Sequence, residues 1–102
     1  MFDYLMRLDV DRQRKAMDLL RYAASAGPPL WHPDKCQKVT DTDFFEFKPS
    51  RSDRIFWMWS LEGAVILFHA FAKQSNHTPL REIRTGRDRA REILRHMQGG
   101  AR

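Results

Sequence analysis

The sequence predicts an α+β fold with two N-terminal helices, a small antiparallel sheet of at least three strands, and a C-terminal helix. Three observations carry that prediction. Residues 11–27 repeat apolar side chains at helical spacing and stop at Gly27-Pro28-Pro29. Three runs rich in aromatic and branched residues follow, joined by connections short enough for hairpins. Thr78-Pro79 then opens a stretch with an apolar stripe of helical period. The 102 residues suffice for one domain, 1–102, with a modest core.

The first helical segment is short, FDYLMRL, with Phe2, Leu5 and Met6 on one side. The second runs through DRQRKAMDLLRYAASAG, where Asp11, or Asp9 before it, can accept the orphan N–H groups of the first turn. Ala16, Met17, Leu20, Ala23 and Ala24 form its apolar face, and Gly27 suits the left-handed position that ends a helix. Residues 28–43 show no period and read as a loop. In FFEFK, Phe45 and Phe47 face one way, and Phe44, Glu46 and Lys48 the other. RIFWMWS suits a pleated surface, while GAVILFHAF is so continuously apolar that it reads as a central strand buried on both faces. In the last helix Thr78 caps, Pro79 takes the first position, and Leu80, Ile83, Ala90, Leu94 and Met97 make the stripe. Gly99-Gly100 ends it.

The net charge is +5, unevenly spread. Residues 1–47 carry seven Lys/Arg against eight Asp/Glu, whereas residues 79–102 carry seven arginines against three acids. A basic second half points to a polyanionic partner, with phosphates the usual candidate. No apolar run reaches the roughly 20 residues of a membrane span, and the acidic N-terminus is no signal peptide. A single cysteine, Cys36, forbids an internal disulfide and fits a reducing compartment, so the expected location is the cytoplasm without membrane attachment.

The four histidines have no metal-ligand spacing and no Gly-rich phosphate loop is present, so neither metal nor cofactor is expected. Cys36 reads as a loop thiol. Glu46 lies inside a strand, Asp53 and Glu62 fall at turns, and no pair suggests carboxylate catalysis. His69 reads as a hydrogen-bonded core histidine. Trp57 and Trp59 read as core, with base stacking the alternative. In the last helix Arg84, Arg87, Arg91 and Arg95 share one border of the stripe, either as a solvated face or as a phosphate-binding ridge. The strand ends differ. Lys48 ends one strand where Arg54 begins the next, and Lys73 follows the third. Like charges held close are costly unless an anion lies between them, which makes this end of the sheet the best candidate site.

These runs also resemble a known family. FFEFK, RIFWMWS and AVILFHAFAKQSNHTPLREI are similar to the three ordered motifs of the HigB-like, phage-associated branch of the RelE superfamily of bacterial toxins. Glu46 and Lys48 match its strand Glu and Arg. Arg54, Ile55 and Phe56 match its Arg-Ile-Phe, and His69, Phe71, Lys73, Thr78, Pro79, Glu82 and Ile83 match the third motif without a gap. The resemblance implies a RelE-like fold and the toxin of a type II toxin–antitoxin pair, held by a helix-turn-helix antitoxin. Such toxins act on mRNA in the ribosomal A site. They cleave without a metal, through attack of the RNA 2′-hydroxyl on the neighbouring phosphate. Carried over, Lys48 and Arg54 would hold that phosphate, and Lys73 would position RNA or assist proton transfer. His77 is a candidate acid and His96 a remote one, while Arg51, Arg81, Arg84, Arg87, Arg91 and Arg95 would contact RNA. The departures are a start almost at the first helix, before which the family usually has a strand, Lys48 for arginine, Trp57 for tyrosine, Gln74 and His77 for lysines, Gly86 for a small residue, usually alanine, and no tyrosine near the C-terminus. Lys48 lacks the planar fork that grips phosphate with two bonds. The alternative expectation is therefore a catalytically weakened or inactive relative that binds RNA or an antitoxin-like protein.

Overall fold

In the computed structural model, which describes residues 2–26, 34–60, 62–73 and 78–100, the N-terminal helices are α1 (Phe2–Arg7) and α2 (Val10–Ala26). Of the two aspartates suited to capping α2, Asp9 does so: its Oδ1 accepts the backbone N–H of Arg12 at 2.9 Å. The inward face of α2 is Ala16, Leu19, Leu20 and Ala23. Met17 and Ala24, assigned to that face by spacing, are exposed. Gly27 and Pro28-Pro29 lie outside the described residues.

Four strands pair antiparallel in chain order: β1 (Cys36–Lys38), β2 (Phe45–Phe47), β3 (Asp53–Trp59) and β4 (Val65–Ala72). Two expectations are corrected here. The stretch read as a loop contains β1, whose Cys36, Gln37 and Lys38 face Phe47, Glu46 and Phe45. Three residues are too few to show a period, and their conformation is set by the partner strand. The continuously apolar run forms β4, which is an edge strand, as β1 is, and not a central one. Phe68–Phe71 are buried all the same, because α1 and α3 (Leu80–Gly100) both pack against β4.

A register shift lies between Phe56 and Trp57: Phe56 faces His69, but Trp57 faces Leu67. The extra residue is Phe68. Because a bulge breaks the alternation of side chains, Phe68 and His69 both reach the α3 side of the sheet. Two cores result. Leu5, Ala16, Ala23, Phe47, Ile55, Trp57 and Ala70 fill the space under α1 and α2. Phe44, Phe56, Met58, Phe68, Phe71 and Ala90 fill the space under α3. Trp57 stacks between Phe45 and Phe47 with centroids 4.6 and 5.2 Å away, so it is core as expected, while Trp59 meets its edge at 5.0 Å and is partly exposed.

The stripe of α3 also differs from the expected one. Ile83, Ala90 and Ile93 pack inward, whereas Leu80 is 69% and Leu94 41% exposed. Between them Gly86 lies directly over Phe56; a Cβ there would stand 2.8 Å from Phe56 Cδ2. The first ladder bonds of α3 go to the carbonyl of Pro79, from Glu82 N at 3.0 Å and Ile83 N at 3.2 Å. Thr78 therefore stands one residue before the cap, and its hydroxyl donates to Glu46 Oε2 at 3.4 Å instead. No helix among the described residues is long and apolar enough to cross a membrane.

Candidate functional site

The registers gather three basic residues at one end of the sheet. Phe47 pairs with Ile55, so Lys48 stands opposite Arg54, one step beyond the last ladder pair. Arg54 pairs with Phe71, and the backbone N–H of Lys73 bonds to the carbonyl of Ser52, two residues before Arg54. Lys48 and Arg54 line one cavity of about 440 Å³ together with Lys15, Asp34, Lys35, Pro49, Ser50 and Arg51. Among the described residues five cations face a single carboxylate there, an arrangement that repels itself until an anion enters.

Arg54 is held firmly. It is 9% exposed, and its Nη1 donates to the carbonyls of Ser50 and Asp53, both at 2.8 Å. Its Nε has no hydrogen-bond partner among the described residues and lies 3.9 Å from Glu46 Oε1. Lys48 Nζ donates to Gln37 Oε1 at 2.6 Å, a bond that an arriving phosphate can replace. Lys73 lines a second cavity with Gln37, Lys38, Thr40, Glu46 and Thr78. The two cavities are linked through the Glu46–Arg54 and Gln37–Lys48 contacts. His77 lies outside the described residues.

Asp53, which falls at a turn in the sequence, is in fact a fully buried hub. Oδ1 accepts the Tyr4 hydroxyl at 2.7 Å and Arg12 Nη2; Oδ2 accepts Arg12 Nε at 2.9 Å and the Ser50 hydroxyl at 2.7 Å. Burial alone would raise its pKa, but the donors from Arg12, Tyr4 and Ser50 outweigh burial and hold the carboxyl below its usual range. Burial and the neighbouring Asp53 push the Tyr4 hydroxyl up. This hub ties α1 and α2 to the turn whose carbonyls hold Arg54. Glu46 is a different kind of buried acid: besides the Arg54 contact it accepts only the long Thr78 bond among the described residues, so its oxygens retain bonding capacity.

The arginines of α3 are elsewhere. Arg87 and Arg91 flank a 520 Å³ groove floored by Phe44, Met58, Ala90 and Leu94, and Arg87 Nη2 bonds to the Asp41 carbonyl at 2.7 Å. Arg95 and His96 both pair with Glu92, at 3.4 and 3.2 Å, and Arg81 pairs with Glu82 at 3.7 Å. Arg84 is exposed and makes no ion pair among the described residues. None of them lines the cavity of Lys48 and Arg54. His69 is the core histidine its position suggests. Arg89 Nη1, 2.7 Å from Nδ1, can only donate, so Nδ1 accepts and Nε2 carries the proton offered to Glu82 Oε1 at 2.8 Å. Burial lowers its pKa, Glu82 opposes that shift, and Arg89 adds to it. Burial likewise raises the Cys36 thiol, which disfavours the thiolate a nucleophile needs.

Sequence reasoning overlooked Lys15, Lys35 and the open acid Glu46. Lys15 belongs to a helix far away in sequence, and Lys35 reaches the site only because β1 exists: its carbonyl accepts Lys48 N at 2.8 Å. The one available signal for Glu46 was a carboxylate on the same strand face as Lys48.

A family model described as phage derived protein Gp49-like matches residues 3–91. No curated protein matches the chain.

Proposed function

The chain belongs to the phage-derived Gp49-like family, and from that premise we propose that it is the toxin of a type II toxin–antitoxin pair, a HigB-like member of the RelE superfamily that cleaves mRNA on the ribosome. The observation that supports this most is the pairing of Lys48 with a buried, backbone-clamped Arg54 in a cavity of five cations. Cations positioned before the reaction lower the cost of charge developing on a phosphate, because little reorganisation is needed when it appears.

In this mechanism the 2′-oxygen forms a bond to the adjacent phosphorus while the bond to the 5′-oxygen breaks, leaving a cyclic phosphate and a 5′-hydroxyl. Arg54 and Lys48 hold the non-bridging oxygens. Glu46, a carboxylate with bonding capacity beside Arg54, accepts the 2′-hydroxyl proton. Lys73, in the adjoining cavity with Glu46, binds the strand or returns a proton to the leaving oxygen. A helix-turn-helix antitoxin would hold the toxin inactive.

A non-catalytic descendant that binds RNA is the second reading. It is favoured by Lys48, which gives one point charge where the family pattern has a bidentate arginine. Induced expression of the wild type, Glu46→Gln and the double variant Lys48→Ala/Arg54→Ala separates the two. Growth arrest with mRNA cleavage by the wild type alone is expected, with cleavage by the double variant down by at least about a hundredfold, the loss seen when one preorganised charge donor is removed. Arrest that persists in the double variant would overturn the site assignment, and RNA binding without cleavage by the wild type would favour the second reading.

A further inference from the structure

The cation cavity does not end at Lys15. Lys15, Lys35 and Pro49 also wall a second hollow of about 460 Å³, completed by Asp18, Leu19 and Tyr22 of α2. The two hollows share these three residues and so form one continuous groove. Its halves differ in chemistry. The inner half carries Lys48, Arg51 and Arg54, while the outer half presents Leu19 and Tyr22, the last 48% exposed, above the buried Pro49. Lys15 stands at the junction and already has one anionic neighbour, Asp11, at 3.2 Å. Over the whole groove five cations meet two carboxylates, Asp34 and Asp18, which leaves it net positive.

We propose that this groove is a subsite for one unpaired nucleotide flanking the phosphate held by Lys48 and Arg54, with Tyr22 as the shelf on which its base lies and Lys15 and Lys35 as the clamp on the adjoining phosphate. The inference deepens the function proposed above and rests on it. A cationic hollow that opens into an aromatic one matches the alternation of charge and flat apolar surface along single-stranded RNA. An acidic peptide would satisfy the cations but would leave the shelf without a flat partner. A duplex keeps its bases stacked inside and cannot offer one to Tyr22. The subsite extends the role of α2, which already supplies Lys15 to the cation cavity and Arg12 to the Asp53 hub, along the path of the substrate.

The test is anisotropy of a fluorescein-labelled single-stranded RNA decamer on the purified full chain at two salt concentrations. Tyr22→Ala is expected to weaken binding by about 5- to 150-fold, the effect of losing one base–aromatic stack, while Tyr22→Phe stays near the wild type. Lys15→Ala/Lys35→Ala should reduce the dependence of log K on log salt by about 0.7 for each phosphate no longer neutralised. Wild-type affinity in Tyr22→Ala, beside weakened affinity in Lys48→Ala/Arg54→Ala, overturns the subsite and leaves the anion site standing. Unchanged affinity in all variants sinks both. Equal binding of a duplex of the same length, or equal competition by polyglutamate, also overturns the subsite.

Discussion

At the scale of single residues, two buried carboxylates at the same end of the sheet have opposite characters. Asp53 receives bonds from Tyr4, Arg12 and Ser50, so its lone pairs are occupied. Glu46 has one long bond and an arginine 3.9 Å away. Satisfied groups hold structure, which places Asp53 in the frame, whereas Glu46 keeps the bonding capacity that its proposed role as proton acceptor needs. Replacing Asp53 by Asn leaves the donors of Tyr4, Ser50 and Arg12 without a full set of acceptors. Arg12 keeps a third of its side chain in water, so the loss stays below that of a fully buried broken pair. About 2–3 kcal/mol is expected from urea unfolding. A change under about 0.5 kcal/mol would place Asp53 among ordinary surface residues and refute the hub. The sequence marks Asp53 only as a turn residue, because its three partners lie 3, 41 and 49 positions away.

Among the elements, α3 is positioned by the absence of a side chain. Gly86 lets the helix rest on Phe56, which is fully buried and cannot move aside. On an isolated helix Gly86→Ala would gain about 1 kcal/mol from propensity. Here the added methyl meets a ring at 2.8 Å, and overpacking of a filled core costs about 1–3 kcal/mol. The substitution is expected to lower the thermal midpoint, and Phe56→Leu in the same chain to restore part of it. A raised midpoint in Gly86→Ala alone would show that α3 can lift without cost. The bulge at Phe68 acts in the same region. It turns Phe68 and His69 toward α3 together, so one element meets both an apolar contact and the Arg89–His69–Glu82 chain.

For the whole molecule, buried and half-buried groups bound the pH range of stability. His69 has a folded pKa below the ordinary value of about 6.5, so its contribution is complete above that pH and drains as pH falls through the folded value. Asp53, also lowered, contributes above about pH 3.9 and is lost as pH falls further. Tyr4, raised, contributes below about pH 10 and is lost as pH rises above it. Urea midpoints should therefore be flat between about pH 6.5 and 8.5, above which the raised Cys36 thiol and then Tyr4 lose their contributions, and fall in two stages on acidification, His69→Gln removing the first and Asp53→Asn the second. An identical acid profile in both variants would break the link to these residues. Local pattern in the chain was enough to set the order of the helices and of the last three strands, the hairpin connections between those strands and the strand ends at which Lys48, Arg54 and Lys73 stand, since periodicity and turn chemistry act over short spans. It also placed His69 in the core. It could not reveal that Cys36–Lys38 is a strand, that the most apolar strand is an edge, that Asp53 is a hub, or that Lys15 and Lys35 share a cavity with Arg54. Each of these depends on which surfaces meet, through pairing, register and the packing of helices across the sheet, and those contacts join residues too far apart in the chain for any local pattern to record.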